Sequence, residues 1–161
     1  ISRARKLVIY QACVMQKLLY CLHTAWLTKA ELTKLDGFHA RCLRKVLSIP
    51  HSYLSHVSNA DVLVAAGVPP LSAVLRERQL LLFGAIARKP AASPGGASAV
   101  QANAAQPQRW AGARRRGRPR QAWATCVHEE ALQAAGSQVA LDALVVNEDM
   151  WRQTVHRYVY T

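Results

Sequence analysis

Acidic side chains are scarce in this chain. Nine Asp and Glu stand against 21 Lys and Arg, which gives a net charge of +12 over 161 residues. So positive a balance favours a polyanionic partner, with nucleic acid as the first candidate and an anionic membrane surface as the second.

An uninterrupted apolar run of membrane-spanning length is also missing. The most apolar segment, 7–27, is broken by Gln11, Gln16, Lys17 and His23, so we interpret it as a buried helix and expect no membrane partner. The chain does not begin with Met, and no secretory signal precedes a cleavage site. We therefore expect an intracellular, nuclear piece of a longer protein.

Cysteine pairs with metal-binding spacing are absent. Cys13, Cys21, Cys42 and Cys126 contain no CxxC, which favours reduced thiols over a disulfide framework or a zinc knuckle. The pair His39 and Cys42 does not by itself make a zinc site. We expect neither a metal nor a cofactor.

Catalytic signatures are missing as well. The chain has no nucleophile elbow and no Walker loop, and Asp36, Asp61, Asp142 and Asp149 are scattered rather than paired as in a two-metal polymerase. The sequence at 128–130 lacks the second histidine of HExxH. We expect no catalytic residue and no complete enzyme in this stretch.

What the chain does have is helical periodicity, with 51% hydrophobic residues available for a core. We predict an all-α, irregular helical bundle with a flexible Ala/Pro/Gly linker and an Arg-rich arm. The predicted parts are a four-helix bundle over 1–89, the linker and arm over 90–118, and C-terminal helices over 119–161 that pack back on the bundle.

Apolar spacing and cap residues place the helices. An apolar stripe on one long helix over 3–27 is predicted, because apolar residues recur there at intervals of three and four. They are Leu7, Tyr10, Val14, Leu18 and Cys21. Cap residues at 28–31, 58–61 and 147–149 predict the starts of three further helices. Residues 141–146 are predicted only to form a short apolar segment. The side chains expected to hold the packing are Phe38, Cys42, Leu43, Trp123 and Trp151.

Arginine provides the strongest chemical signal. A cluster without any acid contains Arg109, Arg114, Arg115, Arg116, Arg118 and Arg120. Guanidinium groups bind phosphate or guanine in a bidentate way, and four or five phosphate contacts give a salt slope of roughly −4. A second positive rim is expected from Arg76, Arg78 and Arg88. The alternative is a solvated arm or a localisation signal.

Residues 116–119 read RGRP, the core of an AT-hook that lies in a narrow minor groove. Two further hypotheses for the whole chain remain open. One is a free-standing AT-hook-like DNA-binding protein, and the other is a structural helical bundle without binding activity.

Several motifs occur in a fixed order along nearly the whole chain. They are LLY at 18–20 with WLT at 26–28, LDGFHARCLRKVLSI at 35–49, VSN at 57–59 with Gly67 and Pro69, Arg78 through Gly84 to Arg88, RGRPR at 116–120 with Trp123, and WR at 151–152. This series resembles the region downstream of the polymerase core in reverse transcriptases of LINE-like, non-LTR retrotransposons.

The resemblance implies a helical, thumb-side segment that helps to hold RNA template and primer or target DNA. It implies as a partner the upstream polymerase domain of the same polyprotein, an RNA-directed DNA polymerase whose catalytic aspartates are absent here. Cys21, His23 and Ala25 depart from the family's usual Gly, Glu and Trp, and Ala85 replaces its His. A decayed copy of the element would show such departures.

Overall fold

The structure, a computed structural model, describes residues 1–89 and 123–161. In these two ranges the regular elements are helices and no strand occurs, so the all-α prediction is confirmed. The predicted linker and arginine arm lie outside the described residues. The elements are α1 (Arg3–Ile9), a π-helical turn (Tyr10–Met15), α2 (Gln16–Leu18), a 3₁₀ turn (Leu22–Thr24), α3 (Lys29–Leu47), α4 (Ser52–Ser55), α5 (Asn59–Ala66), α6 (Leu71–Ala87), α7 (Trp123–Ala135), α8 (Gln138–Val146) and α9 (Glu148–Tyr160).

The chain divides into two compact units. The first unit contains Ile1–His23 and Leu27–Arg76, and the second contains Thr24–Trp26 and the residues from Glu77 onward. The predicted bundle over 1–89 placed the boundary after the fourth helix, whereas the compact units divide within α6.

Cap residues begin the helices where the sequence placed them. A capping box joins Thr28 and Glu31 at the start of α3, and a second joins Ser58 and Asp61 at the start of α5. Asn147 accepts hydrogen bonds from two amides in the first turn of α9. These side chains satisfy amides that have no partner inside the helix, which explains why the sequence located the starts correctly.

The predicted long first helix is wrong in its periodicity. Tyr10 and Met15, at the two ends of the π-helical turn, are five positions apart, and Leu19 follows four positions later. These three residues are buried, whereas Val14 is 39% exposed and Cys21 is exposed with a positive φ of 56°. A π turn adds one residue to the helical repeat, so the buried face moves away from the stripe that a regular α-helix would present.

The core of the first unit includes polar side chains that were not predicted. Its fully buried apolar residues are Leu19, Leu43, Val62, Leu71 and Leu75. His39 and Arg44 are buried beside them on the inner face of α3. Cys42 is half-buried against this core, while Phe38 remains 38% exposed.

The second unit has its own core around Trp151. The indole is fully buried with Leu80, Phe83, Val127 and Val155, and its Nε1–H donates to the Leu80 carbonyl at 3.0 Å. Trp123 is partly buried against the same core. The apolar piece predicted at 141–146 is the greater part of α8, which begins after the cap residue Ser137.

Candidate nucleic-acid interface

The six predicted contacts of the arginine arm are not among the described residues. Arg109, Arg114, Arg115, Arg116, Arg118 and Arg120 fall between positions 89 and 123. Their role stays a prediction from the sequence.

The predicted second rim is not brought together on one face. Arg76 and Arg78 are two residues apart on α6, so their side chains leave the helix in nearly opposite directions. Arg88 follows after the last turn, where its guanidinium donates to the Val145 carbonyl at 3.2 Å and lies 3.5 Å from a Glu148 carboxylate oxygen. Arg88 therefore holds the second unit together, and it is only 24% exposed.

Positive charge is distributed unevenly along the chain. The first unit has ten Lys and Arg against three Asp and Glu, a difference of +7. The described residues of the second unit have five Lys and Arg against six Asp and Glu, a difference of −1. Among the described residues, the excess of positive charge therefore lies in the first unit.

Each carboxylate of the first unit lies at the start of a helix. The Thr28 amide donates to Glu31 Oε2 at 2.7 Å, and the Ser58 amide donates to Asp61 Oδ2 at 3.1 Å. Asp36 accepts from the amide of Ser72, the second residue of α6, at 2.9 Å. Amides at helix starts thus engage all three carboxylates of the first unit.

The capping hydrogen bonds also keep two of these carboxylates ionised. The bonds from the Thr28 amide and hydroxyl lower the pKa of Glu31. The bonds from the Ser58 hydroxyl and amide lower the pKa of Asp61. Glu31 and Asp61 therefore remain negatively charged throughout the neutral pH range.

Two carboxylates of the second unit lie within ion-pair distance of its own Arg and His side chains. Glu148 pairs with Arg88 and, at 2.9 Å, with Arg152. Glu77 lies 3.5 Å from His156 Nδ1 and accepts from the Tyr160 hydroxyl at 3.0 Å. The described acids of the second unit are thus partly balanced by its own cations.

Arg44 is a structural residue that the sequence analysis did not identify. It is 5% exposed, and its guanidinium donates to the carbonyls of Pro50 and Val57 at 3.2 and 2.6 Å and to Asn59 Oδ1 at 3.1 Å. It thereby ties the segment between α3 and α5 to α3. Its position on the same side as Leu43 and Leu47 was the available signal, since a long cation on a buried face needs internal acceptors.

His39 is the second buried polar residue that was missed. Its Nδ1 lies 2.7 Å from the Tyr10 hydroxyl, and the two rings are stacked with centroids 5.6 Å apart. Burial raises the pKa of Tyr10 to about 12, so the phenol is neutral. Burial also lowers the pKa of His39, which favours the neutral imidazole. The pair fixes the π-helical turn on α3.

Catalytic and metal sites find little support in the described residues. No group of three His, Cys, Asp or Glu side chains in 1–89 and 123–161 is arranged to hold a metal ion. A cleft of about 110 Å³ in the second unit is lined by Phe83, Arg88, His128 and Asp142, and it is well below the usual size of a small-molecule site. Within the same residues, no helix has the length and apolar character needed to span a bilayer.

Comparison of the chain with protein-family models, with curated proteins and with solved structures finds no match. The motifs and the geometry described above therefore carry the functional argument alone.

Proposed function

We propose that this chain is a non-catalytic nucleic-acid-binding segment of a LINE-like, non-LTR retrotransposon reverse transcriptase. It binds RNA or DNA through phosphate contacts and acts together with the upstream polymerase domain of the same polyprotein. The observation that carries the proposal is the charge of the first unit, +7 with its three carboxylates engaged at helix starts. The arm adds six arginines without an acid.

Contacts among the motif residues support the retrotransposon part of the proposal. Arg44 of the RCLR motif binds Val57 and Asn59 of the VSN motif. Gly84 of the fourth-helix motif lies against Trp151 of the closing WR motif. Motifs that are far apart in the sequence thus meet inside each unit, as expected if the series describes one folded segment rather than chance matches.

The arm is tested by changing Arg114, Arg115, Arg116, Arg118 and Arg120 together to Ala. We expect binding to RNA and DNA of any sequence to weaken by orders of magnitude, and the slope of log K against log salt to become shallower by about 4. Fluorescence anisotropy of labelled oligonucleotides over a salt series measures both quantities.

The matched control changes the same five arginines to Lys, which keeps the charge. Phosphate binding should then retain most of the affinity and the salt slope, because both depend on charge. Affinity that is unchanged in the Ala variant would refute the proposal. Absence of binding by the native chain near physiological salt would support the structural-bundle alternative.

The AT-hook alternative is tested by competition between A·T-rich and G·C-rich duplexes of equal length. Phosphate contacts carry no base information, so the proposed binding discriminates little between them. A strong preference for the A·T-rich duplex, lost in the five-Lys variant, would favour a minor-groove hook instead.

A further inference from the structure

Four side chains of α3 form one exposed line. Lys34, Phe38, Arg41 and Lys45 follow one another at intervals of four, three and four residues. At about 100° per residue, these intervals keep all four within a sector of roughly 60°. All four are exposed, and Phe38 retains 38% of its surface. We call this line the α3 stripe.

Burial of the opposite face fixes the direction of the stripe. His39, Leu43 and Leu47 are buried and lie on the other side of the same helix. Because α3 spans 19 residues and packs through that face, its outer side chains cannot turn inward. The stripe is therefore a fixed feature of the first unit.

The cations of the stripe form no ion pair within the described residues. No hydrogen bond or ion pair there engages the head group of Lys34, Arg41 or Lys45. Glu31 lies on the same side of the helix, and Lys34 helps to lower its pKa, but that carboxylate is held by Thr28. Three charged head groups against one capped carboxylate on this side of the helix match a polyanion.

Gly37 leaves open surface beside the stripe. A methyl group at this position would meet no atom within 4 Å. Glycine inside a helix costs roughly 0.5–1 kcal/mol relative to Ala, so the residue does not serve helix stability here. A bare backbone next to Phe38 and Arg41 allows a ligand to approach closely.

We propose that the α3 stripe binds a single strand of nucleic acid. Lys34, Arg41 and Lys45 contact phosphates spaced along one strand, and the ring of Phe38 stacks on an unpaired base. The 11 helical steps from Lys34 to Lys45 extend about 16 Å along the helix, close to the length of about five nucleotides of one stacked strand. The inference extends the proposed function to a second surface, and it rests on residues outside the arginine arm.

The exposed phenylalanine selects a single strand over a duplex. Stacking on an aromatic side chain needs a base whose face is accessible, and every unpaired base offers one. In a duplex the base faces are covered, so the stripe would gain only phosphate contacts. The site should therefore prefer single strands without reading their sequence.

The test uses the full chain and labelled oligo-U of 20 nucleotides, with a 20-base-pair duplex as the second ligand. One variant combines Lys34→Gln, Arg41→Gln and Lys45→Gln. We expect oligo-U binding to weaken at least tenfold and the salt slope to fall by about 2, as for the loss of three phosphate contacts on a single strand. The matched control combines Arg3→Gln, Arg5→Gln and Lys6→Gln, which removes the same charge from exposed positions of α1. Equal losses in the two triple variants would overturn the proposal.

A second variant separates stacking from charge. Phe38→Leu keeps an apolar side chain and all charges, so the fold is expected to persist. It should weaken oligo-U binding about tenfold and leave duplex binding unchanged. No change with oligo-U, or an equal change with both ligands, would overturn the proposal, as would displacement of oligo-U by polyglutamate at the same charge concentration.

The outcomes for the two surfaces are distinguishable. If the native chain binds no nucleic acid, the proposed function fails. If it binds and the stripe variant matches its α1 control, only the inference about the α3 stripe fails. The arm variant with five Ala should still show the effect of Phe38→Leu on the oligo-U affinity that remains.

Discussion

The indole of Trp151 lies directly against the backbone of Gly84. A methyl group at Gly84 would be 2.4 Å from both Cδ1 and Nε1 of the ring. The ring cannot withdraw, because it is fully buried and its Nε1–H is bonded to the Leu80 carbonyl. Glycine at this position is therefore required by close packing between α6 and α9.

We expect Gly84→Ala to lower the free energy of unfolding by about 2 kcal/mol, since overpacking displaces a fixed ring. Urea denaturation followed by circular dichroism measures the change. The control is Gly37→Ala, where the methyl group meets nothing and helix propensity improves. That variant should gain roughly 0.5–1 kcal/mol. Changes of equal sign in the two variants would contradict this account.

Arg41 and Arg44 differ in role although they are only three positions apart on α3. Arg44→Met removes the donor to two carbonyls and an amide oxygen inside the first unit, so we expect a loss of about 2–4 kcal/mol in unfolding free energy. Arg41→Met changes an exposed side chain and should alter stability by less than about 0.5 kcal/mol. Chemical denaturation of both variants tests the assignment, and similar losses would contradict it.

Burial of His39 makes the stability of the first unit depend on pH. Burial lowers its pKa below the ordinary value of 6.5, with the Pro69 carbonyl and Asp36 opposing the shift. A lowered pKa means that the folded state prefers the neutral ring. The contribution is therefore complete above pH 6.5 and is lost as the pH falls through the folded-state pKa.

His39→Gln should flatten the decrease in unfolding free energy between pH 7 and pH 5. The control is His56→Asn, because His56 is exposed in a left-handed conformation that Asn tolerates. Thermal denaturation at several pH values compares the two variants with the native chain. A pH dependence that persists in His39→Gln and disappears in His56→Asn would refute the interpretation.

The four thiols should react at different rates. Cys13 and Cys21 are exposed, whereas Cys126 is buried. Burial raises the pKa of the Cys126 thiol, and Glu129 and Glu130 add to the effect. We expect a disulfide reagent at pH 8 to modify the exposed pair rapidly and Cys126 only after denaturant is added. Cys126→Ser should remove the slow phase alone, and loss of the fast phase in that variant would contradict the prediction.

Local signals in the sequence located the helix starts, because a capping box needs only residues three positions apart. Thr28 with Glu31 and Ser58 with Asp61 form the predicted boxes. The end of α3 has a local cause as well, since Ser48 caps it in a left-handed conformation two residues before Pro50. Such features are determined by neighbours in the chain and can be predicted without tertiary structure.

Features that depend on distant partners could not be predicted in the same way. The burial of His39 depends on Tyr10, 29 residues away, and the role of Arg44 depends on carbonyls that approach only after the chain turns back. The charge of the candidate interface was visible in composition. Its concentration in the first unit was not, because that depends on the division of the chain within α6, which long-range packing determines. Phe38 alone among the stripe residues was predicted to hold the packing, since its spacing along α3 fits an inner face as well as an outer one.

A mutation that changes the length of the π-helical turn acts on the register of the buried face. It holds one residue more than regular α-helical winding accommodates. An in-frame deletion of one codon between Tyr10 and Met15 would let the helix rewind as a continuous α-helix. Tyr10 and Met15 would then be four positions apart, so both would stay on the buried face of the regular helix. Insertion of one further residue would instead rotate the part before it by about 100° and turn Tyr10 away from His39. The segment therefore tolerates the loss of one residue at Gln11 or Ala12, which are exposed, more readily than the gain of one.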